Sequence, residues 1–374
     1  MLKLVLGTSG SGKTTLLYAR IRARAEAGKR SILLVPEQFT SSTEARIYRE
    51  LGDALSGMVE SYSFTSLAEH ILAVEGGAAV QTLTDAGRAV LVRRALEELQ
   101  DNVHYYYRHR RSAAFCQMAA ETIDELKSAG LSGQQLQELA RDCGTESAKL
   151  GELALIFQGY ESLLAGTGMD PADRLELAAD RLEAALARDE LPDFLREREV
   201  FIDEFDTFNA PKKRLMGAML AALPAVTVAL CEDGAPMQPG DLELFSGAKQ
   251  VAAQLRQLAR KNGAQVAAPE LLRRDLRHKD APGLAALTEL LETGSCTPPE
   301  SATELRLFAA ASREEEARCA AAAIRRLMRQ GVRCGKIAVV CRDISQYRAA
   351  VRYEFRMAEI PLYCDEPTTP EFSA

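Results

Sequence analysis

The sequence predicts an α/β protein whose parallel sheet is covered by helices on both faces. Its predicted strands are continuous apolar runs, as at residues 3–7 and 31–35, and such runs are typical of strands buried on both sides. Segments with helical periodicity separate them, and parallel strands need crossovers of this kind. The same alternation returns at residues 199–203 and 225–230. The sheet is therefore expected to resume late in the chain.

Composition limits the functional classes. The chain has 374 residues, a net charge of −7 and 47% hydrophobic residues. This length allows two or three domains of about 100–200 residues each, and the apolar content argues against disorder. An acidic chain is not a polycation that coats nucleic acid, although a local basic groove is compatible with it. No apolar run approaches the ~18 residues of a membrane span, so a soluble cytoplasmic protein without membrane contact is expected.

Zinc sites and disulfides are not expected. The eight cysteines form no Cys-x-x-Cys pair, and the four histidines form no His-x-x-x-His pair. Structural zinc sites and disulfide frameworks carry recognisable spacings of this kind. The cysteines are therefore predicted to be reduced thiols.

The first sixty residues alternate between strands and helices. After the strand at 3–7, a helix is predicted from about 13 to 27, and the strand at 31–35 ends at Pro36. Further on, residues 84 to 198 show helical periodicity only. This stretch is interpreted as an all-helical insertion with breaks at glycine and proline. Its predicted helices cover 85–99, 113–129, 133–141, 149–164 and 173–187, and the segments before it are a helix over 42–51 and a weaker strand over 58–62.

After the insertion, the two returning strands are joined by a predicted helix over 211–223, and a helix over 243–262 follows. A linker at 294–301 precedes a second α/β series. That series has predicted strands at 305–309, 336–340 and 361–364 and helices over 313–330 and 345–358. The expected domains are 1–83 with 199–294, the helical insertion 84–198, and an incomplete second α/β unit 303–374. The unfinished series predicts a fragment of a longer protein.

A glycine-rich loop gives the strongest functional signal. Residues 7–14 match the phosphate-loop pattern G-x-x-x-x-G-K-[ST], with a strand before and a helix after. Such glycines let backbone N–H groups surround a phosphate at a helix N-terminus. Lys13 would reach the β and γ phosphates of ATP, and Thr14 would hold Mg²⁺. The predicted nucleotide-binding residues are Gly7, Thr8, Ser9, Gly10, Ser11, Gly12, Lys13 and Thr14. The alternative is a Gly/Ser-rich turn without a ligand.

The apolar run 199–202 ends in two acidic residues, Asp203 and Glu204. A nucleotide site of this kind needs an acid at the end of a neighbouring strand. Asp203 is the expected Mg²⁺ ligand, and Glu204 is expected to orient or deprotonate the attacking water. The alternative for both is a strand-end turn.

Three phosphate-loop classes compete. A transporter-type ATPase needs an LSGGQ-like signature shortly before the acidic strand. Residues 131–135 are similar but lie inside the helical block, where Ser132 is expected to be a helix N-cap. Small-molecule kinases are usually compact and do not match this layout. The layout does resemble a superfamily 1 DNA helicase, with two RecA-like domains and a helical insertion in the first.

Ordered motifs make the resemblance more specific: the chain is similar to the AddB subunit of bacterial AddAB helicase–nucleases. The similarity runs across nearly all of the chain. It is carried by residues 7–14, 34–40, 61–67, 87–88, 125–127 with 149–156, 202–208, and 337–342 with Tyr347 and Ile360-Pro361. The resemblance implies a heterodimer with an AddA-like helicase–nuclease that processes DNA ends in double-strand break repair. It also implies ATP and Mg²⁺ as cofactors and single-stranded DNA as a ligand.

The resemblance also sets expectations for activity. In that family the nuclease domain and the four cysteines of an iron–sulfur cluster lie in the C-terminal part, so neither is expected in this fragment. AddB is generally not the motor, and whether this fragment is an enzyme is left open, with weak ATPase activity as one outcome. The rival interpretations are a free-standing P-loop ATPase or kinase, and a non-catalytic scaffold with a vestigial phosphate loop.

Two departures from the family pattern stand out. Relatives often carry Arg and Trp near the positions of Ser66 and Glu69, which weakens the expectation that this surface reads a hotspot. The acidic strand in relatives commonly continues Asp-Gly-Phe, whereas here it reads Asp203-Glu204-Phe205. The glutamate leaves residual hydrolysis open.

DNA contacts are expected at two places. Aromatic and cationic side chains alternate at residues 105–111, as in platforms that stack bases and contact phosphates. The alternative there is a helix junction with packed tyrosines and solvated arginines. The resemblance places the family's DNA-facing loops after the ends of the first strands, at the edge where ligands usually bind in open α/β sheets. The alternative is that the residues there only cap helices or pack in the core. The candidate residues are Tyr106, Arg108 and Arg110 at the first place and Gln38, Thr40 and Phe64 at the second.

One further catalytic candidate lies in the second unit. Arg342 ends the strand predicted at 336–340, at a place where an arginine of related motors touches the γ-phosphate. The alternative is a surface arginine.

Overall fold

A parallel sheet organises the first part of the protein. The computed structural model describes residues 1–77, 79, 81–236 and 244–364, which form two units divided between Asp280 and Ala281. Within the described residues of the first unit, six strands pair in the order β3-β2-β4-β5-β1-β6, all parallel. They are β1 Leu2–Gly7, β2 Ser31–Leu34, β3 Val59–Tyr62, β4 Glu199–Ile202, β5 Ala225–Cys231 and β6 Glu270–Leu272. The predicted α/β class is confirmed, and the sheet is consistent with a RecA-like fold.

Helices fill the intervals between the strands. In the first unit they are α1 Lys13–Glu26, α2 Thr40–Leu51, α3 Asp53–Ser56, α4 Phe64–Glu75, α5 Asp85–Glu98, α6 Ala113–Ser128, α7 Gly133–Ala140, α8 Ser147–Leu164, α9 Pro171–Ala187, α10 Ala210–Ala222 and α11 Ser246–Lys261. Sequence patterns predict most of these within a few residues. They miss α3, α4 and β6, and Glu243, the predicted first residue of the helix now found as α11, lies outside the described residues. None of the described helices is long and apolar enough to cross a bilayer.

The sheet is buried on both faces because alternate strand residues point to opposite sides. Leu33 packs on one face with α1 and α2, through Leu17 and Ile47. Ile32 packs on the other face in a larger cluster that includes side chains of α4, α9, α10 and α11. Each fully buried leucine contributes about 2 kcal/mol through removal of apolar surface from water. Two-sided burial therefore explains why the strands are apolar without alternation.

The helical stretch divides its packing between two cores. Helices α5 to α8 surround their own cluster, with Val92, Ile123 and Phe157 at its centre. Helix α9 instead packs against α4 and α10, where Ala178 and Leu182 join the core beside the sheet. The boundaries 84–198 stay a prediction. The connection between the two cores is ionic: Lys127 Nζ on α6 lies 2.6 Å from Asp170 Oδ2 at the start of α9.

Motif residues of the helical stretch serve this internal network. Lys127 also contacts Asp173 at 2.9 Å, and the Tyr160 hydroxyl donates to Asp170 Oδ1 at 2.5 Å. Arg88, 6% exposed, pairs with Asp124. Ser132 caps α7 through a capping box with Gln135, as predicted. These residues thus have structural roles in the folded chain.

The second unit contains helices α12 Pro282–Thr293, α13 Arg313–Arg329 and α14 Ile344–Met357. The last two pack around Ile324, Val351 and Phe355. The strands predicted at 305–309, 336–340 and 361–364 are wrong: the described part of this unit has no strand. An apolar run becomes a strand only when a neighbour completes its hydrogen-bond ladder. Here the runs lie without one, and Leu307 is 99% exposed.

Candidate functional site

The glycine-rich loop lies at the carboxyl edge of the sheet, between β1 and α1. Gly10 and Gly12 have φ of 83° and 93°, in the left-handed region that favours glycine. A Cβ on Gly10 would also come within 2.8 Å of the Arg277 Cβ and the Asp275 Oδ1. The positions of these two glycines in the pattern therefore follow from the backbone path and from the chain that lies against it.

Two polar side chains of the loop, Lys13 and Ser11, have no charged partner among the described residues. The Lys13 ammonium donates to the carbonyl oxygens of Gly7 and Thr8, both at 2.9 Å, so the cation is folded over the loop. The Ser11 Oγ is buried and has no hydrogen-bond partner among the described residues. A cation without a carboxylate partner and an unsatisfied hydroxyl fit an anion such as a phosphate.

The structure brings Asp203 to this loop. Strand β5 separates β1 from β4 in the sheet, but the carboxyl ends of parallel strands meet at one edge. The Asp203 N–H donates to the Leu34 carbonyl at 3.0 Å, which extends β4 along β2. Burial raises the pKa of the Asp203 carboxyl, and the neighbouring Thr14 hydroxyl lowers it by a smaller amount. The loop and the acid thus lie at one edge of the sheet.

Glu204 adopts an unusual backbone conformation. Its φ is 65°, a region that costs a non-glycine residue about 1–2 kcal/mol. Its N–H donates to Asp203 Oδ1 at 3.0 Å, and the next residue, Phe205, is anchored in the core. Partial removal of the Glu204 carboxyl from water and the neighbouring Asp203 charge raise its pKa, although the residue as a whole is exposed. A glycine would suit this position better, so the family's Asp-Gly-Phe pattern has a conformational reason.

A segment that the sequence patterns missed lies against the loop. The Leu276 N–H donates to the Gly10 carbonyl at 3.0 Å, and Arg277 Nη1 donates to Ser9 Oγ at 3.1 Å. Asp275 shapes this segment by accepting from the N–H groups of Arg277 and His278. The only sequence signal is a short basic run after the pair Leu271-Leu272. Strand β6 has three residues, which is too short for periodicity to identify.

Arg46 is the second missed residue. It lies on α2, and its guanidinium is 4.8 Å from the centre of the Tyr18 ring on α1. Its charge lowers the pKa of both Asp203 and Glu204, opposing the effect of burial. Burial raises the pKa of Tyr18 to about 12. Nothing in the sequence near Arg46 marks it, because its neighbours in space come from α1 and β4.

The candidates after the first strands separate into two groups. Gln38 is exposed in the turn after β2, and Thr40, half-buried, begins α2 with its hydroxyl donating to the Glu37 carbonyl at 2.8 Å. Phe64 is 2% exposed, and its ring packs edge-on against Phe205 at 5.2 Å. A ring buried this way offers no face to a base, so Phe64 contributes packing to the core.

The aromatic–cationic segment is also partly structural. Tyr106 stacks on Phe115 at 5.6 Å in the helical core, whereas Tyr105 is 43% exposed. Arg110 lies 3.9 Å from the Tyr107 ring centre, and Arg108 lies 5.6 Å from that of Tyr105. The exposed aromatic face flanked by cations is thus that of Tyr105.

The remaining positions singled out in the sequence are Arg342, Ser66 and Glu69. Arg342 is an exposed residue of the second unit, directly before Asp343, which caps α14. Ser66 forms a capping box with Ser63 at the start of α4. Glu69 pairs with Arg174. Ser66 and Glu69, the two positions of the first departure, therefore have local structural roles in this chain.

Fold and site together define an α/β protein with a six-stranded parallel sheet and a glycine-rich loop that meets an acid from a second strand. The family follows from comparison. A family model described as "ADDB, N-terminal" matches residues 4–288, and the chain belongs to this AddB family, which confirms the expected resemblance.

Curated relatives agree. Proteins named as the B subunit of an ATP-dependent helicase/deoxyribonuclease, from Desulforudis audaxviator and Moorella thermoacetica, are 34% and 33% identical over 97% of this chain. One of the same name from Clostridium perfringens is 29% identical over 98% of it. In each case the chain spans 32% of the relative's length.

Proposed function

We propose that this chain is the N-terminal helicase-like part of an ATP-dependent helicase/exonuclease subunit, that it binds Mg·ATP and DNA, and that it acts in cytoplasmic repair of double-strand breaks. The observation that carries the nucleotide part is that the glycine-rich loop after β1 and Asp203 at the end of β4 lie at the same carboxyl edge of the sheet, where Thr14 lowers the pKa of the Asp203 carboxyl. This arrangement brings the loop and the acidic strand together across the helical stretch, as a shared Mg²⁺ site requires. Family membership and the relatives' names support the rest.

The residues present fit Mg·ATP. The loop amides and Lys13 would hold the phosphates, and Thr14 and Asp203 would hold Mg²⁺. The described residues contain no group of three or more His, Cys, Asp or Glu suited to a metal, but Mg²⁺ on a nucleotide needs only one or two protein ligands besides phosphates and water. Bound Mg²⁺ would supply charge neutralisation of the phosphates.

Hydrolysis would depend on further residues. Glu204 is exposed beside Asp203 and would orient or deprotonate water, which supports a weak ATPase. Arg277 at Ser9 adds a cation next to the phosphate loop. Arg342 stays a proposed γ-phosphate contact, as an arginine of related motors makes.

DNA and partner contacts complete the proposal. The exposed Gln38, the half-buried Thr40 and the surface around Tyr105, Arg108 and Arg110 would contact single-stranded DNA near its ends. The relatives are named as one component of a multi-chain enzyme, which supports a heterodimer with an AddA-like helicase–nuclease. Binding of the chain to labelled oligothymidine should weaken as salt rises, because phosphate contacts release counterions. An affinity independent of salt would contradict phosphate contacts.

The central test is isothermal titration of the chain with Mg·ATP. Lys13→Ala should abolish the heat of binding, because Lys13 is the loop's own cation. Lys29→Ala, an exposed lysine after α1, is the matched control and should bind like the parent. Equal affinity in the Lys13→Ala variant and the parent would refute the proposal. Absence of binding in all three proteins would favour a scaffold with a vestigial loop, and fast turnover without DNA or partner would favour a free-standing ATPase or kinase.

A further inference from the structure

Tyr105 lies on the surface between two anchored neighbours. It is 43% exposed, whereas Val103 is fully buried and Tyr106 stacks on Phe115 in the helical core. The Tyr105 ring also meets the Tyr106 ring edge to face, with 4.9 Å between their centres, a geometry that aromatic pairs prefer. The Tyr105 ring is therefore exposed and held in one orientation.

The backbone around Tyr105 is held by the carboxylate of Glu152 on α8. The Glu152 Oε1 accepts from the N–H groups of His104 and Tyr105 at 2.9 and 3.0 Å. The Oε2 accepts from those of Tyr105 and Tyr106 at 2.8 and 3.1 Å. Successive N–H groups that converge on one anion form a nest, and hydrogen bonds to a carboxylate are about twice as strong as neutral ones. One side chain thus fixes the backbone that presents the ring.

The surface around the ring is cationic. The Arg108 guanidinium lies 5.6 Å from the centre of the Tyr105 ring, and the Lys149 ammonium lies 5.5 Å from it. Lys149 is paired with Glu146, whereas Arg108 and Arg110 have no carboxylate partner among the residues that the structure describes. In a chain with a net charge of −7, such cations favour a polyanionic ligand. The exposed ring between them favours a polyanion with unpaired bases.

We propose that this surface holds one stacking subsite for an unpaired base of single-stranded DNA, with Tyr105 as the stacking residue and Glu152 as the residue that positions it. This inference rests on the proposed binding of DNA and specifies where a base is held. Arg108 and Arg110 contact the phosphates that flank the base. Glu152 contacts no nucleotide and acts through the backbone of residues 104–106.

The test of stacking compares oligothymidine with an abasic strand of the same length and charge, each titrated into the full chain. Tyr105→Ala should bind oligothymidine about tenfold more weakly than the parent, as expected for the loss of one base–ring stack, and should bind the abasic strand as the parent does. Tyr105→Phe keeps the ring and should bind both strands as the parent does. Tyr353→Ala, at an exposed tyrosine of α14, is the matched control.

The test of positioning uses Glu152→Gln. Glutamine offers one acceptor oxygen in place of two, so part of the nest is lost. The variant should show faster amide exchange at residues 104–106 and about three- to tenfold weaker binding of oligothymidine, with binding of the abasic strand unchanged. Glu138→Gln, at an exposed site on α7, is the matched control and should match the parent in all three measurements.

The outcomes separate the inference from the function on which it rests. If the parent binds neither strand, the proposed DNA binding fails, and the inference fails with it. If the parent binds both strands equally, or if Tyr105→Ala keeps the parent's affinity for oligothymidine, only the inference is overturned. Equal losses for both strands in Glu152→Gln would show a merely structural role and overturn the positioning. Should Glu152→Gln unfold, the shorter carboxylate of Glu152→Asp is judged by the same two strands.

Discussion

Thr14 lies near enough to Asp203 to lower the pKa of its carboxyl, although a whole set of helices separates the two residues in the chain. Thr14 opens the helix after β1, and Asp203 extends β4 through its N–H bond to Leu34. The pair is possible because all described strands run parallel and end at one edge. Its chemistry, a hydroxyl and a carboxylate side by side, matches what Mg²⁺ prefers as ligands.

Asp203→Asn should uncouple nucleotide binding from Mg²⁺. The amide keeps the shape and a hydrogen bond to Thr14 but loses the charge that attracts the cation. We expect at least about a tenfold loss of Mg·ATP affinity, with little change in ATP binding in the presence of a chelator. Titration calorimetry with and without Mg²⁺ measures both. Asp206→Asn, at an exposed site nearby, should behave as the parent, and an Asp203→Asn protein that keeps the Mg²⁺ effect would contradict the ligand assignment.

Glu204→Gly should stabilise the fold while removing any hydrolysis. Relief of the left-handed φ of 65° is worth about 1–2 kcal/mol, and the greater freedom of glycine in the unfolded chain offsets part of this. A net gain of about 0.5–1 kcal/mol is expected in urea unfolding. Glu204→Gln removes the carboxylate without this gain. Glu197→Gly, at φ 60° in an exposed loop, should stabilise without affecting turnover. If Glu204→Gly is less stable than the parent, the left-handed backbone conformation of Glu204 does not strain the fold.

Arg277→Gln should weaken Mg·ATP binding by about tenfold, since a charge-assisted contact near the phosphates is lost. Arg273→Gln is the matched control, because Arg273 is exposed in the same segment. The exchange rate of the Leu276 amide proton is a second measurement. This N–H donates to the Gly10 carbonyl, so its exchange reports whether the segment stays against the loop. The idea fails if both arginine variants bind nucleotide as the parent does.

Lys127→Met should be strongly destabilising. The substitution leaves Asp170, which is fully buried, without its cation, and breaking a buried pair in this way costs about 3–5 kcal/mol. Lys149→Met, which removes an exposed lysine paired with Glu146, should leave the unfolding midpoint near that of the parent. The unfolding midpoints of the two variants in a chemical denaturant measure this difference. Similar midpoints would show that the ionic connection between α6 and α9 contributes little.

Glu232→Gln should flatten the pH dependence of stability. Glu232 is 5% exposed, its Oε2 has no partner among the described residues, and burial raises the pKa of its carboxyl above 4.5. A raised pKa in the folded state means that stability present at low pH is lost as pH rises from about 4.5 through the folded value. The variant should therefore be more stable by about 1 kcal/mol at neutral pH. Glu138→Gln, at an exposed site, is the control. If the stability of Glu232→Gln depends on pH as that of the parent does, Glu232 does not titrate with a raised pKa in the folded state.

The sequence anticipated most of the first unit and much less of the second. Residues 7–14 could be recognised because a phosphate loop is a local pattern with fixed spacing. Helices such as α6 and α8 could be recognised because burial of one face repeats along the chain. The strands expected at 305–309 and 336–340 satisfied the same apolar criterion but lack partners. Whether an apolar run becomes a strand depends on a neighbour that its own residues do not encode.

The sequence by itself determined the class of fold, the phosphate-loop pattern and the family, because each depends on residues close together in the chain or on their order. Only the tertiary structure decided that Phe64 is core, that Tyr105 rather than Tyr106 is exposed, that Arg277 lies beside the loop and that Arg46 lies over Tyr18. These outcomes depend on which elements meet. Burial and electrostatic interaction act between atoms that are near in space, whatever their distance along the chain.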